Sequence, residues 1–309
     1  MLISMAAMLI SRYTPLPVMM LCLFAGMSLN FLSKAALTKT GVQYTSRSIL
    51  RIGVALIGAR IALSDFTELG ANMIALVIAT TIAVILLGIL LARIIGADKE
   101  QGLLIGCATA ICGASAALAI SATMPNSKSL EKNTLIAVLG VTAIGTIAMI
   151  IYPLIINMLG LNDYQAGILI GGAIHDVAQV VGAGYSVSEE AGDNAVIIKL
   201  IRVSMLVPIL FVFALMFKGQ GTSKSSAIPV FILGFIALVT LNSLQLIPAQ
   251  INYILKEISK YMLMMAIVAV GMKTSFKEIT SLGWKPIALV VINTVVIFVI
   301  YLAVITYNT

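Results

Sequence analysis

His175 is the only histidine in the chain, and it stands beside Asp176 inside the apolar and small-residue run GILIGGAIHDVAQVVGAG that starts at Gly167. Gln179 follows three positions after Asp176, and the next apolar run carries Lys199 and Arg202 among Ile, Leu, Val and Met. On a continuous helix His175, Asp176 and Gln179 share one polar face, and Lys199 and Arg202 share another. Burying such ionisable groups in hydrocarbon costs at least about 2.5–3.5 kcal/mol each, so they are expected to face a cavity or one another. Two readings follow. One is a structural ion pair, for example Asp176 with Arg202; the other is a substrate or proton pathway. Two cations against one carboxylate leave a net positive site when the imidazole is neutral, which suits an anion. An imidazole changes charge near neutral pH, which makes His175 with Asp176 the candidate for proton coupling.

The elements that must position these groups are set by composition. The 309 residues are 61% hydrophobic and 10% charged, with a mean hydropathy of +1.11. No soluble domain of that size can hide so much apolar surface. The apolar stretches have helical length rather than the ten-residue alternation of an outer-membrane barrel, so an all-α polytopic membrane protein with about 10–11 transmembrane helices is expected. The spans are Leu16–Leu32, Ser48–Leu63, Ala71–Ala92, Gln101–Ala122, Thr134–Asn157, Tyr164–Tyr185, Ala195–Phe217, Ile228–Ile247, Tyr261–Lys273 and Pro286–Tyr307. Met1–Ile10 is too short to cross a bilayer and does not read as a signal peptide. The chain is read as a single transmembrane domain over residues 1–309.

Loop charges give the orientation. If every segment crosses, one side collects Lys34, Lys39, Arg47, Arg93, Lys99, Lys218, Lys224, Lys273, Lys277 and Lys285, and the other Arg12, Lys128, Lys132, Lys256 and Lys260. Ten against five puts the first side in the cytoplasm and the C-terminus outside. The net charge of +7 is thereby a topology signal, and no nucleic-acid partner is expected.

An internal repeat is the strongest pattern. LPVMMLCLFAGMSLNFL from Leu16 aligns with IPVFILGFIALVTLNSL from Ile228, pairing Asn30 with Asn242. One residue of shift later, GARIALSDFTELGANMIALV from Gly58 aligns with GMKTSFKEITSLGWKPIALV from Gly271. The repeat-related segments are 16–92 and 228–307, around a central block 101–217. The copies start seven crossings apart, so they point in opposite directions, as in alternating-access transporters. Gly-broken segments at corresponding positions are the expected pointer to a binding site near mid-membrane: Ser48–Leu63 and the short Tyr261–Lys273. GLLIGCA from Gly102 also resembles GILIGGA from Gly167, each followed by a small-residue run. Separated by one span, these two should be parallel, which the inverted repeat does not account for.

Asn30 and Asn242 either line the site or tie helices together. Arg51 and Arg60 lie near span ends and are expected to snorkel. Pro153 and Pro208 are expected kinks. Cys22, Cys107 and Cys112 lack metal-ligand spacing and read as small buried residues.

AICGASAALA from Ala110, GGAIHDVAQVVGAG from Gly171 and AVIIKLIRVSMLVP from Ala195 resemble the signature segments of the sulfate exporter family of YeiH-like bacterial inner-membrane proteins. RIGVALIGARIAL from Arg51 and VGMKTSFKEITSLGWKP from Val270 are similar to that family's repeat-related segments. Members usually have a longer N-terminus with a complete first span. The resemblance implies an inverted-repeat fold akin to the bile-acid and arsenite transporter relatives, with helices crossing near mid-membrane, and export of sulfate or related sulfur oxyanions. It carries substrate or proton-coupling roles to Cys112, Gly113 and Ser115, to His175, Asp176 and Gln179, and to Lys199 and Arg202. With Asn30 and Asn242 these form the candidate site.

The expected function is secondary active transport of small inorganic or sulfur-containing anions by alternating access. The alternatives are a channel or membrane ligand sensor of the same fold, or a transporter of organic anions or sulfonates. The chain has no HExxH, no GxSxG and no second histidine, so an enzyme is not expected. Neither a cofactor nor a metal site is indicated. The expected partners are a small anion, the lipid bilayer and a second copy of the chain.

Overall fold

The structure is a computed structural model, and it describes all residues except 15, 34, 126–127, 217–229, 275–282 and 308–309. The described residues are mostly helical, without a strand. In chain order the helices are α1 (Leu2–Ser11), α2 (Val18–Ser28), α3 (Ala36–Tyr44), a π-helical turn (Thr45–Ile49), α4 (Leu50–Ile57), α5 (Leu63–Ile95), α6 (Lys99–Ala110), α7 (Ala114–Ser121) and α8 (Lys128–Leu159). They continue as α9 (Asp163–Ala173), α10 (Val177–Val187), α11 (Glu189–Ser204), α12 (Leu206–Met216), α13 (Val230–Ser243), α14 (Ala249–Lys273) and α15 (Trp284–Tyr307). This is an all-α, multi-pass membrane protein. Among the described residues four stretches are long and apolar enough to cross a bilayer: Leu69–Ile95, Ser129–Leu159, Glu189–Phe213 and Trp284–Tyr307. Of the loop lysines, Lys34, Lys218, Lys224 and Lys277 lie outside the described residues, as does Pro229 of the repeat.

The helices sort by contact into two groups. One holds α1–α4, α13 and α14, with α14 packed on α2 and α4; the other holds α5–α12 and α15 around α6, α8, α9 and α11.

Two of the expected spans are hairpins rather than crossings. The first breaks at Ile111–Gly113, between α6 and α7. Gly113 sits there at φ 64° and ψ −131°, a conformation essentially reserved for glycine. Beyond α7 the chain is back beside the start of α6: Ser129 Oγ donates to Glu100 Oε2 at 3.2 Å, and Asn133 Nδ2 donates to Asp98 Oδ2 at 3.3 Å. Crossing fully would leave these residues a bilayer apart. The second hairpin breaks at Ile174–Asp176, between α9 and α10. Both of its legs lie beside the same turn of α11: a Cβ on Gly167 would stand 3.0 Å from Ala191 O, and one on Gly184 would stand 2.9 Å from Gly192 Cα. Between the hairpins α8 runs the full depth, from Asn133 at the start of α6, past Thr142 and Thr146 beside Gln179, to Leu159. The hairpins therefore enter from opposite ends, and their tips meet midway.

This corrects three expectations. GLLIGCA and GILIGGA are antiparallel, because the segment 101–122 does not cross. The implied crossing of helices near mid-membrane is replaced by two facing tips. Lys128 and Lys132 lie at the same end as Lys99, so among the described residues six against five becomes eight against three. In addition, Tyr261–Lys273 is the second half of a 25-residue helix, α14, rather than a short span.

Residues that align in the sequence make matching contacts. Asn30 Nδ2 donates to Thr274 O at 2.9 Å and Met272 O at 2.6 Å, while Asn242 Nδ2 donates to Ile61 O at 3.1 Å. Ile61 and Thr274 are aligned positions. A Cβ on Gly271 would stand 2.4 Å from Leu23 O, and one on Gly58 would stand 2.5 Å from Phe235 O; Leu23 and Phe235 are also aligned.

Candidate substrate site

The second hairpin turns at His175 and Asp176 because the chain caps itself there. Asp176 is the N-cap of α10: its carboxylate accepts from Ala178 N at 2.9 Å, and its own N–H donates to Gln179 Oε1 at 3.3 Å. That reciprocal capping box satisfies donors that a helix start would otherwise leave open. It also overturns the expectation of one continuous helical face, since His175 lies in the break, Asp176 caps, and only Gln179 is helical. Gln179 Nε2 reaches on to Thr142 O at 2.9 Å and Thr146 Oγ1 at 3.2 Å on α8. Gly145 leaves it room, since a Cβ there would fall 2.1 Å from Gln179 Oε1.

Lys199 and Arg202 do share a face of α11, and both are fully buried. Neither forms an ion pair; the salt bridges among the described residues belong to Arg60. Arg202 instead bonds backbone carbonyls at the ends of two helices. It donates to Thr109 O at 2.7 Å and Ala110 O at 2.9 Å on α6. It also donates to Gly171 O at 3.2 Å, Gly172 O at 2.5 Å and Ile174 O at 3.0 Å at the end of α9. Lys199 Nζ donates to Ile174 O at 2.9 Å. The two cations meet the negative ends of α6 and α9, whose last carbonyls lack intrahelical partners. All three guanidinium nitrogens are thus occupied by the protein itself, so in this state Arg202 builds the tips instead of offering donors to a substrate, while Lys199 spends one of its three donors on Ile174 O.

His175 is fully buried, and its Nε2 lies 2.8 Å from Thr294 Oγ1. The Thr294 hydroxyl donates to Val290 O at 2.6 Å, which leaves the imidazole as the donor to it. The backbone of Thr109 lies within hydrogen-bond reach of the imidazole, while both amide atoms of the buried Asn293 have no hydrogen-bond partner among the described residues.

What faces open space at the tips is a smaller set: Ser115 is exposed, and Ala114, Asp176, Val177 and Thr142 are partly exposed. Cys112 is buried. Gly113 touches the opposing tip, a Cβ on it lying 3.5 Å from Asp176 Oδ2. Gly113, the N-cap of α7, has no side chain to cap it, and the Cys112 sulfur accepts from Ala116 N in the first turn. Asn30 and Asn242 tie helices through the carbonyls described above.

Sequence reasoning missed Thr294 and Thr146, because a threonine in an apolar helix is an ambiguous sign. The repeat held one clue: Thr81 and Thr294 are aligned, and each bonds the carbonyl four residues back. It also placed Arg60 as a snorkelling residue. In the structure Arg60 pairs with Glu189 at 2.9 Å and Asp193 at 3.3 Å and lies 5.6 Å from the Tyr185 ring centroid. The Tyr185 hydroxyl donates to Asp193 at 2.5 Å. This cluster joins the end of α4 to α10 and α11 at the acidic end of the molecule.

The family described as "Conserved hypothetical protein 698" matches residues 1–290. The chain is 42% identical over 306 residues to a UPF0324 membrane protein of Chlorobaculum tepidum, covering 97% of this chain and 86% of that protein. It is 42% identical over 301 residues to the UPF0324 membrane protein TauZ of Paracoccus denitrificans, covering 95% and 89%. A UPF0324 membrane protein of Rhizobium meliloti is 41% identical over 307 residues, covering 97% and 89%. No solved structure matches. With similarity of this extent along nearly the whole chain, the protein belongs to the UPF0324 family of membrane proteins.

Proposed function

We propose that the chain is a secondary transporter of small inorganic or sulfur-containing anions, sulfate first among them, working by alternating access in the bacterial inner membrane. The observation that carries this reading is the meeting of two hairpin tips from opposite ends, Gly113 against Asp176. Broken helices of this kind put backbone dipole ends at mid-depth, where a substrate can use them. Arg202 and Lys199 consume the carbonyl ends of α6 and α9. What is left at the tips is the amide end of α7, since Asp176 and Gln179 cap α10. An oxyanion at the start of α7 would find the Ala114 and Ser115 N–H groups and the exposed Ser115 hydroxyl, the usual chemistry of anion sites at helix starts.

Asp176 is partly exposed and His175 is not, so the coupling proton is assigned to Asp176. His175 then positions the tip through Thr294. The buried Asn293 amide, without a hydrogen-bond partner among the described residues, supports a working site here, since a purely structural core avoids such groups.

The reciprocal contacts of Asn30 and Asn242, together with the opposed hairpins, support an inverted duplication. In that arrangement the Arg60 cluster closes the acidic end while Ser115 and Asp176 are reached from the basic, cytoplasmic end. The test is uptake of labelled sulfate into proteoliposomes preloaded with unlabelled sulfate. Saturable exchange is expected. Flux without saturation is the behaviour of a channel, and binding without flux that of a sensor.

A further inference from the structure

At the basic end the C-terminus of α5 and the N-termini of α6, α8 and α15 surround an open cleft of about 490 Å³. Lys132 on α8 and Lys285 on α15 line it, with Asp98, Gln101 and Asn133 between them. Two carboxylates stand near them as well, both held by the buried Asn133 amide, which donates to Asp98 at 3.3 Å and to Glu100 at 3.5 Å. Lys285 Nζ donates to Gly96 O at 2.7 Å, and an ammonium has two further donors to offer. Lys132 makes no hydrogen bond or ion pair with a described residue. Three helix N-termini add their positive dipole ends to the two ammonium groups. Beside Lys285, Trp284 is 67% exposed. Exposed tryptophan at the end of an apolar helix belongs at the membrane–water interface, which sets the cleft at headgroup depth.

We propose that this cleft binds a phosphate group held between Lys132 and Lys285, supplied by the headgroup of an anionic phospholipid in the leaflet at the basic end. That leaflet is where both the lysine bias and anionic lipid are concentrated. The site is separate from the hairpin tips and stands whatever those tips transport.

The test is native mass spectrometry of the full chain with phosphatidylglycerol or phosphatidylcholine, with and without inorganic phosphate. The wild type, Lys132→Gln and Lys132→Gln/Lys285→Gln are compared, with Lys39→Gln as a control at the same end. Lys132→Gln, which removes no hydrogen bond of the fold, is expected to lower phosphatidylglycerol retention about fivefold, and the double variant further. Phosphatidylcholine retention and the control should be unchanged. Phosphatidylglycerol that millimolar phosphate does not displace assigns the lipid. Displacement, with phosphate bound by the wild type and not by Lys132→Gln, assigns the free ion and keeps the phosphate site. Equal retention of both lipids by the wild type, or equal phosphatidylglycerol retention by all variants, overturns the proposal.

Discussion

Arg202 on α11 donates to Thr109 O at the end of α6 at 2.7 Å and to Gly172 O in α9 at 2.5 Å, so that one guanidinium fastens the ends of two hairpins that enter from opposite sides. A planar fork with five donors suits several diverging carbonyls, and an ammonium does not. The positive charge the sequence placed at the site is present, but it is used to hold the site together.

Replacing Arg202 is therefore expected to act on the fold before it acts on affinity. Arg202→Gln and Arg202→Lys should each lose roughly 3 kcal/mol or more, since buried carbonyls are left unbonded. Both should lower the thermal midpoint in detergent by several degrees. A variant of unchanged midpoint that has lost only anion affinity would return Arg202 to the substrate.

Asp176→Asn keeps an N-cap, because asparagine caps as well as aspartate. The folded protein should persist while the pH dependence of exchange flattens. His175→Gln should retain a pH-dependent rate at a lower maximum, having lost its bond to Thr294. Rates measured across pH in proteoliposomes separate the two residues, and a flat profile for His175→Gln alone would move the proton to the imidazole.

The hairpin topology predicts that Lys99→Cys and Lys128→Cys are labelled by an impermeant maleimide from the same side of the membrane. Full crossing of 101–122 would put them on opposite sides. The native Cys22, Cys107 and Cys112 are buried, which keeps the background low.

Among the described residues the salt bridges that tie the two helix groups together are those of Arg60, at the acidic end. A bifunctional, reducible maleimide joining Arg60→Cys to Glu189→Cys should arrest exchange, and reduction should restore it. Undiminished exchange by fully crosslinked protein would mean that this end does not open during transport.

Much of this was legible in the sequence and some was not, for physical reasons. The all-α membrane fold follows from apolar length alone, and the aligned Asn30 and Asn242 are found making matched contacts. The hairpins were not legible, because a broken helix that turns back and one that continues have the same apolar length; only the neighbour of Asn133 or of Gly184 tells them apart. For the same reason Asp176 read as a helical face residue, although the Asp176/Gln179 spacing is also that of a capping box. The roles of Lys199 and Arg202 were hidden because their partners are carbonyls, which every residue carries.

The central claim is that the anion passes between the hairpin tips, beside Ser115. The most direct measurement is the alkylation rate of Ser115→Cys in proteoliposomes that exchange sulfate. Sulfate should slow alkylation with the same half-saturation as exchange, and the alkylated protein should no longer exchange. Alkylation indifferent to sulfate, with exchange continuing at full rate through the modified protein, would contradict the account.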